Sequence, residues 1–259
     1  MKKITFLAVA LALALAIGNF VVVAETNPLA GKIIALDAGH GGTSLGAQYP
    51  AGCADDGDPS DCLIYEKDVN LAVAYQLKAQ LETNYGAQVV LTRKCDETVG
   101  LKERGTIANA DCQALYGRKC DVLLSLHHNG NTDATHDGTL VIYNGRTDKT
   151  FATYMHNALI SGLRLPDEGY LWGGYGMTIF GNFVSALTES YYITNTVEAN
   201  ANLAGTSTIV CQNTDGSPYS VLIGTRTQQE VDAQIAGLSN YFASQTSGGS
   251  GGNGKGRNK

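Results

Sequence analysis

No two of the six cysteines are spaced as CxxC, so the chain has no thiolate pair from which to build a zinc site. There is no HExxH segment either, so any histidine ligands must come from separated parts of the chain. Positive charge is short, with 18 Lys and Arg against 24 Asp and Glu, and an acidic chain of this kind gives no support for a nucleic-acid partner. Nothing repeats at a fixed period, which argues against a solenoid and against wall-binding repeats. Beyond the N-terminus no apolar run is long enough to span a bilayer, so no stable membrane insertion is expected once that segment is removed.

The N-terminus itself reads as a signal peptide over residues 1–24. Lys2 and Lys3 precede the run "ITFLAVALALALAI", and small residues in "VVVAET" suit cleavage after Ala24. The alternative, an uncleaved anchor, fits less well because Gly18 and Asn19 interrupt the run. Subtracting 24 from 259 leaves 235 residues, enough for one sizeable core. The loss of Lys2 and Lys3 moves the formal charge from −6 to −8. The implied location is periplasmic or secreted. There an even number of cysteines reads as a disulfide framework. The residues divide into the signal segment, a catalytic domain over 25–245, and a Gly/Ser-rich tail over 246–259 that cannot bury a core and is expected to be disordered.

Within the domain, short apolar runs alternate with longer segments of helical period. "KIIALD", "AQVVLT", "DVLLSLHH", "GTLVIYN" and "GNFVSALTE" read as strands. "EKDVNLAVAYQLKAQLE" carries Val69, Val73, Leu77 and Leu81 on one helical face, and "VGLKERGTIANA", "KTFATYMHNALISGL" and "QQEVDAQIAGLSNYFAS" read as further helices. This order predicts a single-domain α/β fold, a mostly parallel twisted sheet with helices on both faces.

Ligands of such sheets bind beyond the carboxyl ends of the strands. Three ionisable residues occupy those ends: His40 in the loop "LDAGHGG", His127 in "LLSLHHN" and Glu189 in "SALTES". Glu66 joins them if the helix that it opens starts from the same edge. Two histidines and one carboxylate make the donor set of a catalytic zinc with an open position. A second carboxylate can then move protons, and the residue types fit amide hydrolysis. Spacing alone leaves open whether Glu66 or Glu189 is the ligand.

The segments "IIALDAGHGG", "YEKDVNLAVAYQL", "VVLTR", "LKERGTIANA", "LLSLHHN" and "LTESYYITN", in this order, resemble the zinc-dependent N-acetylmuramoyl-L-alanine amidases often called type 3 amidases. The resemblance runs from about Lys32 to Asn195 and resumes weakly in the last helix. It implies an α/β sheet flanked by helices and cleavage of the amide between the muramic lactyl group and L-alanine of peptidoglycan. It places the zinc ligands on His40, Glu66 and His127 and the catalytic carboxylate on Glu189. It also picks His127 over His128, and neighbouring strand residues point to opposite faces.

The chain departs from the family pattern in several places. Ala38 stands where many relatives have Pro. The loop between His40 and Glu66 is long and holds Cys53 and Cys62. Tyr191 and Tyr192 replace a usual Gly-Phe, and residues 200–226 match no recognised motif.

Three disulfides are expected. Cys53 and Cys62 share one loop. Cys112, after a helix, and Cys120, before a strand, belong at the sheet edge away from the zinc. That leaves Cys95 for Cys211. Outside the four site residues, His156 is expected to pack and His136 to lie in a loop. Asp37 is read as a turn residue or as a support for His40, Arg93 and Arg104 as ion-pair formers first and binders of a substrate carboxylate second, and Asn129 as a turn amide or a residue that helps to hold the site. The aromatic stretch Gly169 to Gly176 either stacks on substrate or caps the core. Two other functions stay open: a zinc hydrolase of another exported amide, such as a deacetylase or peptidase, and a non-catalytic wall-binding module.

Overall fold

The first apolar run forms β1 (Ile33–Ala38), with all six residues buried, as a strand covered on both faces requires. It belongs to a computed structural model that describes residues 27–247, apart from 54, 56, 57 and 175. The segment expected to be a signal peptide lies outside the described residues.

From β1 the chain passes through a short hairpin, β2 (Gln48–Tyr49) with β3 (Ile64–Tyr65), into α1 (Glu66–Tyr85). Then come β4 (Gln88–Leu91), α2 (Leu101–Tyr116), β5 (Val122–Asn129), β6 (Thr139–Tyr143), α3 (Arg146–Leu163) and β7 (Asp167–Trp172). The remaining elements are β8 (Ser185–Tyr192), α4 (Thr196–Leu203), the hairpin β9 (Ser207–Gln212) with β10 (Pro218–Ile223), and α5 (Thr225–Ser247). The main sheet has the order β4-β1-β5-β8-β6-β7. All of its pairings are parallel except β6 with β8. The chain leaves β1 for β4 on one side and returns to β5 on the other, so the strand order reverses between β1 and β5. A crevice opens at such a reversal.

The two faces are unequal. The larger core sets Ile34, Leu36, Leu124 and Leu126 of the sheet against Leu71, Leu77 and Leu81 of α1, Phe151 and Leu159 of α3, and Leu238 of α5. Each such side chain contributes about 1.5–3 kcal/mol by leaving water. The smaller core sets Ile33, Ala35, Val90 and Leu123 against Ala108 and Cys112 of α2 and Met177 of a 3₁₀ turn. The mostly parallel sheet with helices on both faces is therefore present. Among the described residues no helix is long and apolar enough to cross a membrane.

The disulfides are Cys53–Cys62, Cys95–Cys211 and Cys112–Cys120, the expected pairing. The reading of α2 needs correction: the helix runs six residues past Ala110 to Tyr116, so Cys112 lies inside it rather than after it. Gly117, in the left-handed conformation at φ 69°, ends it. The unrecognised region 200–226 holds the β9–β10 hairpin. α5 extends to Ser247, two residues into the expected tail, whose remainder lies outside the described residues.

Candidate active site

His40 sits one turn beyond β1 in the left-handed region, at φ 59°, between Gly39 and Gly41. That conformation costs a non-glycine residue energy and must be held from outside. Two buried arginines do this. Arg93 donates from Nε to the Ala38 carbonyl (2.8 Å) and from Nη2 to that of Gly39 (3.0 Å), and also binds the carbonyls of Cys95 and Lys67. Arg104 donates to the carbonyls of Ala38 and His40 and pairs with Asp37 at 3.0 Å. Arg104 thus forms the expected ion pair, whereas Arg93 spends its guanidinium on backbone carbonyls. Asp37 also accepts from Thr92 and Ser125. Burial opposes its charge, but Arg104 and the two hydroxyls outweigh burial and hold its carboxyl below the ordinary aspartate value. Asp37 reaches His40 through Arg104 and does not touch the imidazole among the contacts described. His40 Nδ1 lies 2.9 Å from Ser44 Oγ, a contact that leaves Nε2 to face Glu66.

Glu66 opens α1, and its helix does start at the edge where β1 and β5 end. Its backbone N–H donates to the Ala47 carbonyl, and Ala47 N–H donates back to Oε2 at 2.8 Å. Close approach of this loop depends on Gly46, where a Cβ would lie 2.3 Å from Glu66 Oε2 and 2.8 Å from His40 Cδ2. His40 Nε2 is 3.0 Å from Glu66 Oε2, and His127 Nδ1 is 2.9 Å from Oε1. Oε1 also accepts from Asn70 Nδ2 and from the His128 N–H, both at 3.2 Å. Burial raises the Glu66 pKa, yet the hydrogen bonds and charges of His127 and His40 leave it well below the ordinary glutamate value. The carboxylate is therefore ionised, as a metal ligand must be.

One ligand atom each from His40, Glu66 and His127 lies within 4.8 Å of the other two. Two imidazoles and one carboxylate fit a catalytic zinc, and Gly39 and Gly46 keep side chains out of the group, since a Cβ on Gly39 would stand 2.3 Å from the His127 ring.

Glu189, on β8, pairs in register with His127 on β5. Its Oε2 is buried and has no hydrogen-bond partner among the described residues. Burial, with help from the Glu66 charge and against the pull of His127, pushes its carboxyl up to about 8. One hollow opens beside the group, and another beside the loop of Gly46 and Ala47 that meets Glu66. One, of about 330 Å³, is walled by Val99, Leu101, Met177 and Thr98 next to His40 and His127. The other, of about 370 Å³, is lined by Gly46, Ala47, Gln48, Asn131, Thr132 and Thr194 among others.

The remaining candidates fall elsewhere. His128 is fully buried on the opposite face, against Asn70 and Glu230. His156 packs in α3 and pairs with Asp167. His136 lies in the β5–β6 loop and pairs with Glu168. Asn129 ends β5, and its carbonyl accepts from the Ile193 N–H. Of the aromatic stretch, Gly169–Trp172 belong to the edge strand β7. Trp172 pairs with Tyr143, three residues along β6 from the Leu140 that faces Glu189, which sets it apart from the site. Ser44 and Asn70 were missed by sequence reasoning. Asn70 had a usable signal, because it follows Glu66 by one helical turn.

Comparison with known proteins identifies the family. Residues 34–203 match the family model Amidase_3, N-acetylmuramoyl-L-alanine amidase. The chain is 30% identical to the protein YqiI of Bacillus subtilis over 177 residues, covering 67% of this chain and 76% of that one. It is 29% identical to the N-acetylmuramoyl-L-alanine amidase LytC of the same organism, but spans only 32% of it. The catalytic domain of CwlV, an N-acetylmuramoyl-L-alanine amidase from Bacillus (Paenibacillus) polymyxa var. colistinus, superposes with a TM-score of 0.61 at 25% identity. It covers 82% of this chain and 98% of that domain. The family model spans well over half of the chain, and the fold superposes on that of CwlV, so the chain belongs to the N-acetylmuramoyl-L-alanine amidase family.

Proposed function

We propose that this protein is an exported, zinc-dependent N-acetylmuramoyl-L-alanine amidase whose substrate is peptidoglycan. The observation that carries the reading is the convergence of His40, Glu66 and His127 around one point, with the buried Glu189 Oε2, which has no hydrogen-bond partner among the described residues, on the neighbouring strand. The disulfide framework and the N-terminal segment support export. On this reading the mature catalytic domain begins at residue 25 and includes α5 as far as Ser247.

His40, Glu66 and His127 would hold the ion, each through one ligand atom. Zinc held there supplies Lewis acidity, which polarises the scissile carbonyl and stabilises the charge that develops on it. Arg93, Arg104 and Ser44 hold the His40 ring at the site before substrate arrives. Glu189 takes the proton of the attacking water at Oε2 and delivers it to the departing L-alanine nitrogen. An amine leaves poorly unless protonated, so this transfer is needed whatever polarises the carbonyl. Burial strengthens the hold of this carboxyl on the proton that it must carry between the two atoms.

The test is release of dye-labelled fragments from purified peptidoglycan by the untreated protein, the chelated protein and His127→Ala. Release is expected from the first alone, restored in the chelated sample by zinc. Full activity after exhaustive chelation, or His127→Ala at the wild-type rate with stoichiometric zinc, would overturn the reading.

A further inference from the structure

Glu66 is held from beneath as well as from the site. Its Oε1 accepts from Asn70 Nδ2, which also donates to the Gly39 carbonyl at 3.2 Å. With both Nδ2 hydrogens committed, Asn70 must turn Oδ1 the other way. There it meets His128 Nδ1 at 2.7 Å, and that nitrogen must donate. His128 Nε2 lies 2.9 Å from Glu230 Oε2 on α5. Glu230 Oε1 accepts from Ser190 Oγ at 2.6 Å and from Gln234 Nε2 at 3.5 Å. The Tyr191 ring packs edge-on against the His128 ring, with centroids 4.3 Å apart. Asn70, Ser190, Tyr191, His128, Glu230 and Gln234 are all buried.

The arrangement needs both faces of β5. His127 points to the metal-binding group, and its neighbour His128 points to the layer of α1 and α5. The β5–β8 register shifts between His127 and Asn129, so Ser190 and Tyr191, two consecutive residues of β8, both serve the buried side. A buried imidazole facing a buried carboxylate is costly unless every polar atom is used. Here both His128 nitrogens and both Glu230 oxygens have partners, and the Nδ1 contact orients the Asn70 amide.

We propose that His128 and Glu230 are positioning residues that act through Asn70 to fix the Glu66 carboxylate for metal binding. The inference rests on the reading of Glu66 as a ligand. Partners of this kind, standing behind metal ligands, typically change metal affinity by 10–100-fold when lost. His128 does not touch the metal-binding atoms, so its influence must pass through Asn70.

The experiment measures zinc affinity by competition with a chromophoric chelator, and the melting temperature of the metal-free protein, in four variants. Asn70→Ala removes the donor to Glu66. His128→Ala with Glu230→Gln removes the charges and the donor to Asn70. His128→Asn with Glu230→Gln removes the same charges but keeps an N–H where Nδ1 stood. The fourth combines Asn70→Ala with His128→Ala and Glu230→Gln. Zinc binding is expected to weaken about 10–100-fold in Asn70→Ala and by a similar factor in His128→Ala with Glu230→Gln. It should stay near wild type in His128→Asn with Glu230→Gln, and be no weaker in the combined variant than in Asn70→Ala. If the two His128 variants bind zinc alike, or if the losses add, the relay is overturned. Lower melting temperatures with unchanged zinc affinity would overturn it too, as a merely structural network. Should the Ala variant not fold, weakened zinc binding by His128→Asn with Glu230→Gln would still contradict the proposal. Wild-type protein that binds no zinc would instead remove the ligand reading, and the relay with it.

Discussion

Glu189 carries the sharpest consequence at the scale of single residues. Glu189→Gln keeps the shape and removes the base, so zinc content should be unchanged while turnover falls at least about 10²-fold. The same variant has a signature in the metal-free protein. Because the folded carboxyl is raised from 4.5 to about 8, its contribution to stability is full below 4.5 and lost as pH rises through about 8. Metal-free Glu189→Gln should therefore melt above the metal-free wild type at pH 9, with the difference closing toward pH 4.5. Zinc loss in the variant, or unchanged turnover, would remove Glu189 from its role. Asp37 behaves in the opposite sense. Its lowered folded pKa stabilises the protein above the ordinary value of 3.8, and the gain is lost as pH falls through the folded value. Asp37→Asn leaves the Arg104 guanidinium buried beside an uncharged partner and is expected to cost about 3–5 kcal/mol at pH 7. Urea titrations at pH 7 and pH 3 check this, because the gap between variant and wild type should narrow at the lower pH. Of the four candidate site residues, His40, His127 and Glu189 were legible at strand ends and Glu66 as the first residue of a helix, and the family resemblance chose between Glu66 and Glu189. The residues behind them were not, since Asn70, Ser44 and Glu230 acquire meaning only through the contacts that folding creates.

Most helices and strands were legible because their apolar periods agree with their burial, as in the α1 face of Val69, Val73, Leu77 and Leu81. The β9–β10 hairpin was not, because its strands are largely exposed and have no continuous apolar side to reveal them. Yet this hairpin bears on the site. Cys211 bonds to Cys95, and Asn213 Oδ1 accepts from the Asp96 N–H. Asp96 in turn binds the Gly42 N–H at 2.7 Å and Lys67 Nζ at 2.7 Å, and Lys67 also holds the Gly42 carbonyl. The hairpin thus braces the loop that carries His40. Replacing both Cys95 and Cys211 with Ser should lower stability by about 2–4 kcal/mol, mostly by freeing the unfolded chain. Chemical denaturation under non-reducing conditions checks this, and an unchanged midpoint would mean that the hairpin is held by its other contacts alone.

For the whole molecule, the sheet order explains why residues as distant as His40 and Glu189 meet. β1, β5 and β8 are adjacent and parallel, so their carboxyl ends form one edge, and α1 starts there. Alternation of strands and helices implied this edge, although no local spacing linked its members. The position of β8 between β5 and β6, and the antiparallel direction of β6, could not be read, because strand order is set by long-range packing that leaves no period in the chain. The act proposed for this edge is hydrolysis of the amide between muramic acid and L-alanine with the aid of zinc. The most direct measurement is end-group analysis of purified peptidoglycan digested by the zinc-loaded protein, with a chelated control. It should reveal new N-terminal L-alanine on intact glycan, and none in the control. New reducing sugar ends, amino termini other than L-alanine, or the same products after chelation would contradict it.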